Sequence, residues 1–148
     1  MKLMIINGPN LNLLGIREKD VYGTTSYRDI CDYIQSEGEK KGHEIKILQS
    51  NIEGEIINYI QQAYFEKFEG IMINPGAFTH YSYGIHDAIK SVNIPTIEVH
   101  LSNIHAREDF RKNTVTAPAC IGSICGFGAL GYALAMDALN ESSKESEK

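Results

Sequence analysis

Two short stretches of the chain carry residue types that could move protons. The first is Glu98-Val99-His100. Residues two apart share one face of an extended strand, so this spacing sets a carboxylate beside an imidazole. Such a carboxylate fixes the imidazole tautomer and favours its charged form, which suits a general acid. The second stretch holds Arg17 and Tyr22, five residues apart. A guanidinium near a phenol favours the phenolate, a base usable near neutral pH. Around these pairs the chain offers small polar groups in Asn7-Gly8-Pro9-Asn10, in the run from Asn74 to His80, and in His100-Leu101-Ser102-Asn103. Each residue alone has an ordinary structural reading. A loop Tyr usually packs on the core, Thr79 could simply cap a helix, and Asp87 and Arg111 could form a surface ion pair.

The elements between these stretches suggest how they would be positioned. Lys2 to Asn7, Ile45 to Leu48, Gly70 to Asn74, Thr96 to Val99 and Ala119 to Ile124 read as five short apolar strands. Near-continuous apolar runs suit strands buried on both faces. Helical stripes alternate with them. One starts at a cap at Thr25 or Ser26 and ends near Gly42. The others are carried by Ile56, Ile60 and Ala63, by Ile85, Ile89 and Val92, and by Leu130, Leu134 and Leu139. Strand–helix alternation predicts an α/β fold, a flavodoxin-like three-layer sandwich with a five-stranded parallel sheet. In such sheets ligands bind outside the carboxyl ends of the strands, where the Asn, His and Ser residues fall. Leu11 to Thr25 breaks the rhythm as a long loop, and Gly15 and Gly23 could be its hinges.

Composition limits the rest. At 148 residues, residues 1–140 read as a single catalytic α/β domain, and the polar residues 141–148 as a disordered tail. Net charge is −5, which disfavours nucleic acid as a partner and leaves anion binding to local cations. Cys31, Cys120 and Cys125 form no CxxC pair or Cys/His cluster, so no metal is expected and reduced thiols in the cytoplasm fit. No apolar run approaches the ~20 residues of a membrane span.

Three competing functions are weak. Gly126-Phe127-Gly128-Ala129-Leu130-Gly131 matches a dinucleotide fingerprint, but no later strand supplies an acidic residue for a ribose. Close helix packing accounts for these glycines. A flavin or receiver module would need groups the chain lacks: it has no Trp, and Asn7-Gly8-Pro9-Asn10 stands where a receiver's acidic cluster would be. Neither Ser82 nor Ser102 sits in a GxSxG elbow, which weakens a hydrolase.

Four segments in order, 7–23 (NGPNLNLLGIREKDVYG), 74–82 (NPGAFTHYS), 98–111 (EVHLSNIHAREDFR) and 126–132 (GFGALGY), resemble the type II 3-dehydroquinate dehydratase family. Lys19 stands where the family often has Pro, which touches loop stiffness. The resemblance implies a cofactor-independent hydro-lyase of the shikimate pathway, a cytoplasmic homododecamer acting on the anion 3-dehydroquinate. It implies Tyr22 as base, Arg17 as the cation that keeps it ionised, His100 as acid and Glu98 as its orienting partner. It assigns Asn10 and Asn74 to the oxygen that becomes an enolate, Leu101 and Ser102 to the substrate carboxylate, and His80 and Arg111 to ring hydroxyls. Asp87 would reach a neighbouring subunit's site.

Overall fold

The computed structural model describes residues 1–148. Five strands, β1 (Lys2–Asn7), β2 (Glu44–Gln49), β3 (Gly70–Asn74), β4 (Thr96–His100) and β5 (Gly122–Cys125), form one sheet in the order β2-β1-β3-β4-β5. Every pairing is parallel. This is the flavodoxin-like order, and the sequence expectation of a five-stranded parallel α/β sheet is met. The chain reverses direction across the sheet between β1 and β3, and that switch point is where such folds open a crevice.

Alternation along the strands builds two apolar layers. Leu3 and Ile5 of β1 point to one side with Met72, Ile97 and Val99, against α2 (Tyr27–Lys40) and α5 (Leu130–Ser146). Met4 and Ile6 point to the other with Ile71 and Ile73, against α3 (Glu53–Phe65) and α4 (Tyr83–Val92). Ser26 starts α2 with a capping box: its hydroxyl accepts from the Asp29 N–H at 3.1 Å, and the Asp29 carboxylate accepts from the Ser26 N–H. No helix is long and apolar enough to cross a membrane.

The structure departs from the sequence reading in four places. Residues 11–25 are not a plain loop: Leu11–Leu13 make a 3-10 turn and Lys19–Tyr22 make α1, a single helical turn. Helix α4 starts at Tyr83, not at Thr79, because Ser82 takes the cap and accepts from the Ile85 N–H at 3.1 Å. Residues 76–80 form a separate 3-10 turn before it. The fifth strand begins at Gly122 and not at Ala119, since Ala117–Ala119 is a 3-10 turn around Pro118, which has no N–H to give a ladder. The C-terminal residues continue α5 to Ser146, helped by the Lys144–Glu141 pair at 2.9 Å and by Ser143 donating to the Asn140 carbonyl.

The Gly-rich run before α5 is a packing device. A Cβ on Gly131 would lie 3.1 Å from Val99 Cγ1, so glycine lets α5 approach the sheet. Gly8 performs the same service at the switch point. A Cβ there would stand 2.6 Å from the Pro75 carbonyl oxygen, and the Gly8 N–H donates to the Asn74 carbonyl at 2.8 Å. Backbone cannot yield as a side-chain tip can. Gly8→Ala should therefore cost about 1–3 kcal/mol of stability, read as a lower urea midpoint at unchanged slope.

Candidate active site

One cleft opens at the carboxyl ends of β1, β3 and β4, and Asn10, Arg17, Tyr22, Asn74, His80 and His100 all line it. Leu101, Ser102 and Arg111 line it too, as does Arg107, which the sequence reading did not single out. Glu98 lies directly beneath, wholly buried, and Asp87 is on α4 and does not line this chain's cleft. The alternative pairing of Asp87 with Arg111 is absent, because Arg111 pairs with Glu108.

The rim is built from strand ends. His100 Nε2 lies 2.9 Å from Glu98 Oε2, as the two-residue spacing on β4 predicts. An ionised carboxylate only accepts, so Nε2 carries a proton and Nδ1 is the nitrogen left without a protein partner. Burial works to raise the Glu98 carboxyl, but His100 and the hydroxyls of Thr116 and Thr79 outweigh it, and the net direction is below the ordinary value of 4.5. Thr79 is therefore part of this buried cluster and not a helix cap: its hydroxyl lies 2.9 Å from Glu98 Oε2. His80 Nδ1 meets the Asn113 carbonyl at 2.7 Å, which places a proton on Nδ1. Phe110 holds the ring edge-on.

A second polar cluster supports the switch point from the opposite side of the sheet. Asn7 and Asn74 are register partners on β1 and β3. Tyr132, fully buried on α5, donates to Asn7 Oδ1 at 2.5 Å, and Asn74 Nδ2 faces the same phenol oxygen at 3.5 Å. Asn74 Oδ1 accepts from the Gly76 N–H at 3.2 Å. Asn10 takes the left-handed conformation (φ 68°), and its N–H donates to Asn51 Oδ1 at 3.0 Å. Its side chain is thereby presented at the mouth of the cleft.

The loop brings Tyr22 and Arg17 to the same cleft, but with a different contact from the expected one. Arg107 Nη1 donates to the Tyr22 hydroxyl at 2.8 Å and also reaches Ser102 Oγ at 3.3 Å. Arg17 instead stacks its guanidinium 4.9 Å from the Tyr22 ring centre and pairs with Glu18 at 2.5 Å. Glu18 also lies 3.7 Å from Arg107. Its hydrogen bond from Arg17 holds the Glu18 carboxyl below the ordinary range. Arg107 was discoverable from sequence, since it stands four residues before Arg111 in the same rim segment. Tyr132, Thr114 and Thr116 were not, because only tertiary folding brings them to the site.

The parallel order, the crevice at its switch point, an imidazole–carboxylate pair and a phenol under a guanidinium together define a flavodoxin-like α/β protein whose cleft gathers titratable groups and arginines. The model of the class II dehydroquinase family matches residues 1–140, and the chain belongs to that family. It is 68% identical over 139 residues to a 3-dehydroquinate dehydratase of Clostridium beijerinckii, covering 94% of this chain and 95% of that one. It is 64% identical over 138 residues to one of Fusobacterium nucleatum, covering 92% and 94%. Among solved structures, a type II dehydroquinase from Butyrivibrio crossotus superposes with a TM-score of 0.93 at 53% identity, covering 95% of this chain and 97% of that one. The type II dehydroquinase from Propionibacterium acnes gives 0.89 at 38% identity, covering 93% and 94%.

The depressed Glu98 carboxyl has a consequence for stability. A group whose folded value lies below its unfolded one stabilises the fold above the unfolded value, and that contribution is lost as pH falls through the folded value. Glu98→Gln should cost about 2 kcal/mol at pH 7. The gap between the variant and the parent should narrow steadily below pH 4.5. Urea unfolding across that range measures it, and a gap that is constant with pH would remove Glu98 as the source.

Proposed function

We propose that the protein is a cofactor-independent type II 3-dehydroquinate dehydratase, converting 3-dehydroquinate reversibly to 3-dehydroshikimate in the shikimate pathway. The observation that carries the reading is the meeting of two proton-handling pairs across one cleft: His100 on Glu98, and Tyr22 under Arg107.

In this reading the Tyr22 phenolate removes a proton from the carbon alpha to the ketone. The electron pair moves onto the carbonyl oxygen, giving an enolate held, directly or through a water, by Asn10 and Asn74. The enolate then re-forms the ketone as the carbon–oxygen bond to the leaving hydroxyl breaks. His100, doubly protonated with Glu98 as its counter-ion, gives that hydroxyl the proton on Nδ1, so it departs as water and leaves a conjugated enone. Glu98 accepts from the far side of the His100 ring and keeps Nδ1 toward the cleft. Leu101 and Ser102 bind the substrate carboxylate, while His80 and Arg111 hold ring hydroxyls.

The geometry favours a division of labour between the arginines that the spacing alone did not suggest. Arg107 is the cation at the Tyr22 oxygen, and Arg17 acts from the ring face and closes the loop over the substrate. Asp87, on α4 and outside its own cleft, serves a neighbouring subunit in a cytoplasmic homododecamer.

Adding 3-dehydroquinate and following the enone in the ultraviolet tests the reaction directly, and folded protein that gives no signal would sink it. Tyr22→Phe should lower kcat about 10²–10⁴-fold with substrate binding largely intact. Near-parent turnover would mean the base is elsewhere. Arg107→Met should reduce turnover more than Arg17→Met, and the acid limb of the pH–rate profile, below which the Tyr22 base is protonated, should move up in the former. The reverse ranking would return the role to Arg17.

A further inference from the structure

The buried carboxylate behind His100 is surrounded by more hydroxyls than a simple orienting partner needs. Thr79, from the turn after β3, lies 2.9 Å from Glu98 Oε2, and Thr114 lies 3.1 Å from the same oxygen. Thr116 donates to the other oxygen, Oε1. The hydroxyls also touch one another, Thr79 with Thr114 at 2.6 Å and with Thr116 at 2.8 Å. Thr114 Oγ1 accepts from the Ala117 N–H at 3.1 Å. Thr79, Thr116 and Glu98 are all buried, so no bulk water replaces these contacts. A carboxylate in such a place is tolerable only if donors converge on it.

Two of the three hydroxyls ride on one short strap, residues 113–116, that is bonded to the turn after β3 and to α4. The Asn113 carbonyl meets His80 Nδ1 at 2.7 Å, and the Val115 N–H donates to the Thr79 carbonyl at 2.7 Å. The Val115 carbonyl meets His86 Nδ1 at 2.8 Å. The strap is thus tied to the turn after β3 and to α4 while its threonines face Glu98.

We propose that Thr79, Thr114 and Thr116 form a hydroxyl cage that keeps Glu98 ionised and fixed in direction, which makes them positioning residues for His100. The inference rests on the reading of His100 as the acid of the dehydration. The chemistry is direct. An ionised Glu98 has no proton, so it must accept from His100 Nε2, and Nδ1 is left to face the substrate. With Nε2–H committed to Glu98, Nδ1 can donate only from the doubly protonated ring, which the Glu98 charge stabilises; a protonated Glu98 would withdraw that charge and disfavour the imidazolium that the leaving hydroxyl needs. The cage works against protonation in a site where burial favours it. Its threonines supply hydrogen-bond donors without adding a charge that would compete with the substrate.

Other groups facing the pair do not supply this control. From β5, Cys125 is the register partner of His100, and burial pushes its thiol up. Cys120 is pushed up to about 12 by burial and by the Glu98 charge. Both thiols stay neutral where a carboxyl titrates. Tyr22, His80, Arg107 and Arg111 line the cleft side of His100, away from the carboxylate.

The test uses the full-length protein labelled with ¹³C at the glutamate side-chain carboxyl, with the Glu98 resonance assigned by its loss in Glu98→Gln. In Thr116→Val the Glu98 carboxyl should titrate about one unit higher, and kcat should fall about tenfold with KM nearly unchanged. Thr116→Ser, which keeps the hydroxyl, should restore both. Thr114→Val, at a less buried site, should shift in the same direction and provides the test if Thr116→Val does not fold. A Glu98 titration unmoved in these valine variants overturns the proposal, and so does a loss of kcat without that shift, which marks a packing role alone. The carboxyl titration is read without substrate. A parent protein inactive on 3-dehydroquinate would therefore refute the proposed reaction while leaving the cage separately testable.

Discussion

A wholly buried carboxylate is the constraint around which the rim of this protein is arranged. Leaving Glu98 charged beneath a sheet would be prohibitive without partners. The partners come from three places in the chain: His100 on the same strand, Thr79 from the turn after β3, and Thr114 and Thr116 from the segment before β5. Satisfying one charge therefore fixes the course of that segment. The same segment holds His80 and His86 through its carbonyls. Side chains far apart in sequence are locked together because one of them could not otherwise be where it is.

The other side of the sheet solves a milder problem with neutral groups. Asn7 and Asn74 end neighbouring strands at the switch point and would be stranded among apolar side chains. The Tyr132 hydroxyl, reaching in from α5, joins them. Gly8 then lets the two loops lie against each other without a side chain between them. The cleft is thus supported by a charged cluster under β4 and an uncharged one under β1 and β3. These arrangements depend on rigid elements, which hold a site more closely than loops do.

That difference determines what could be read from the residues alone. The parallel sheet was legible because β1 and β3 are buried on both faces and read as apolar runs, whereas β4 (TIEVH) alternates like a strand with one wet face and its polar positions are buried all the same. The Glu98–His100 contact was legible because strand geometry alone sets two residues on one face. Thr79 reads as a cap because a threonine before a helical stripe is a common cap. Nothing local shows that Ser82 takes that place while Thr79 turns inward. The partner of Tyr22 escapes for a related reason. Proximity in sequence points to Arg17, whereas the hydroxyl is met by Arg107, which lies 85 residues further along the chain. Local spacing predicts contacts within a strand well and contacts across a cleft poorly.

The Arg107 contact also alters how the loop and the rim relate. Had Arg17 also met the phenol oxygen, the loop would bring a finished unit to the cleft. Here the loop supplies the phenol and a guanidinium on its ring face, while the guanidinium that meets its oxygen comes from the rim and also touches Ser102 near His100. The pairing exists only when residues 15–23 lie against the rim, so the loop's position and the phenol's electrostatic surroundings are one variable. Glu18 completes the coupling. It lies against both Arg17 and Arg107 and supplies a carboxylate where an anionic ligand would meet the same cations. In a protein of net charge −5, Arg17, Arg107 and Arg111 gather positive charge at this cleft, and Glu18, from the loop, offsets part of it.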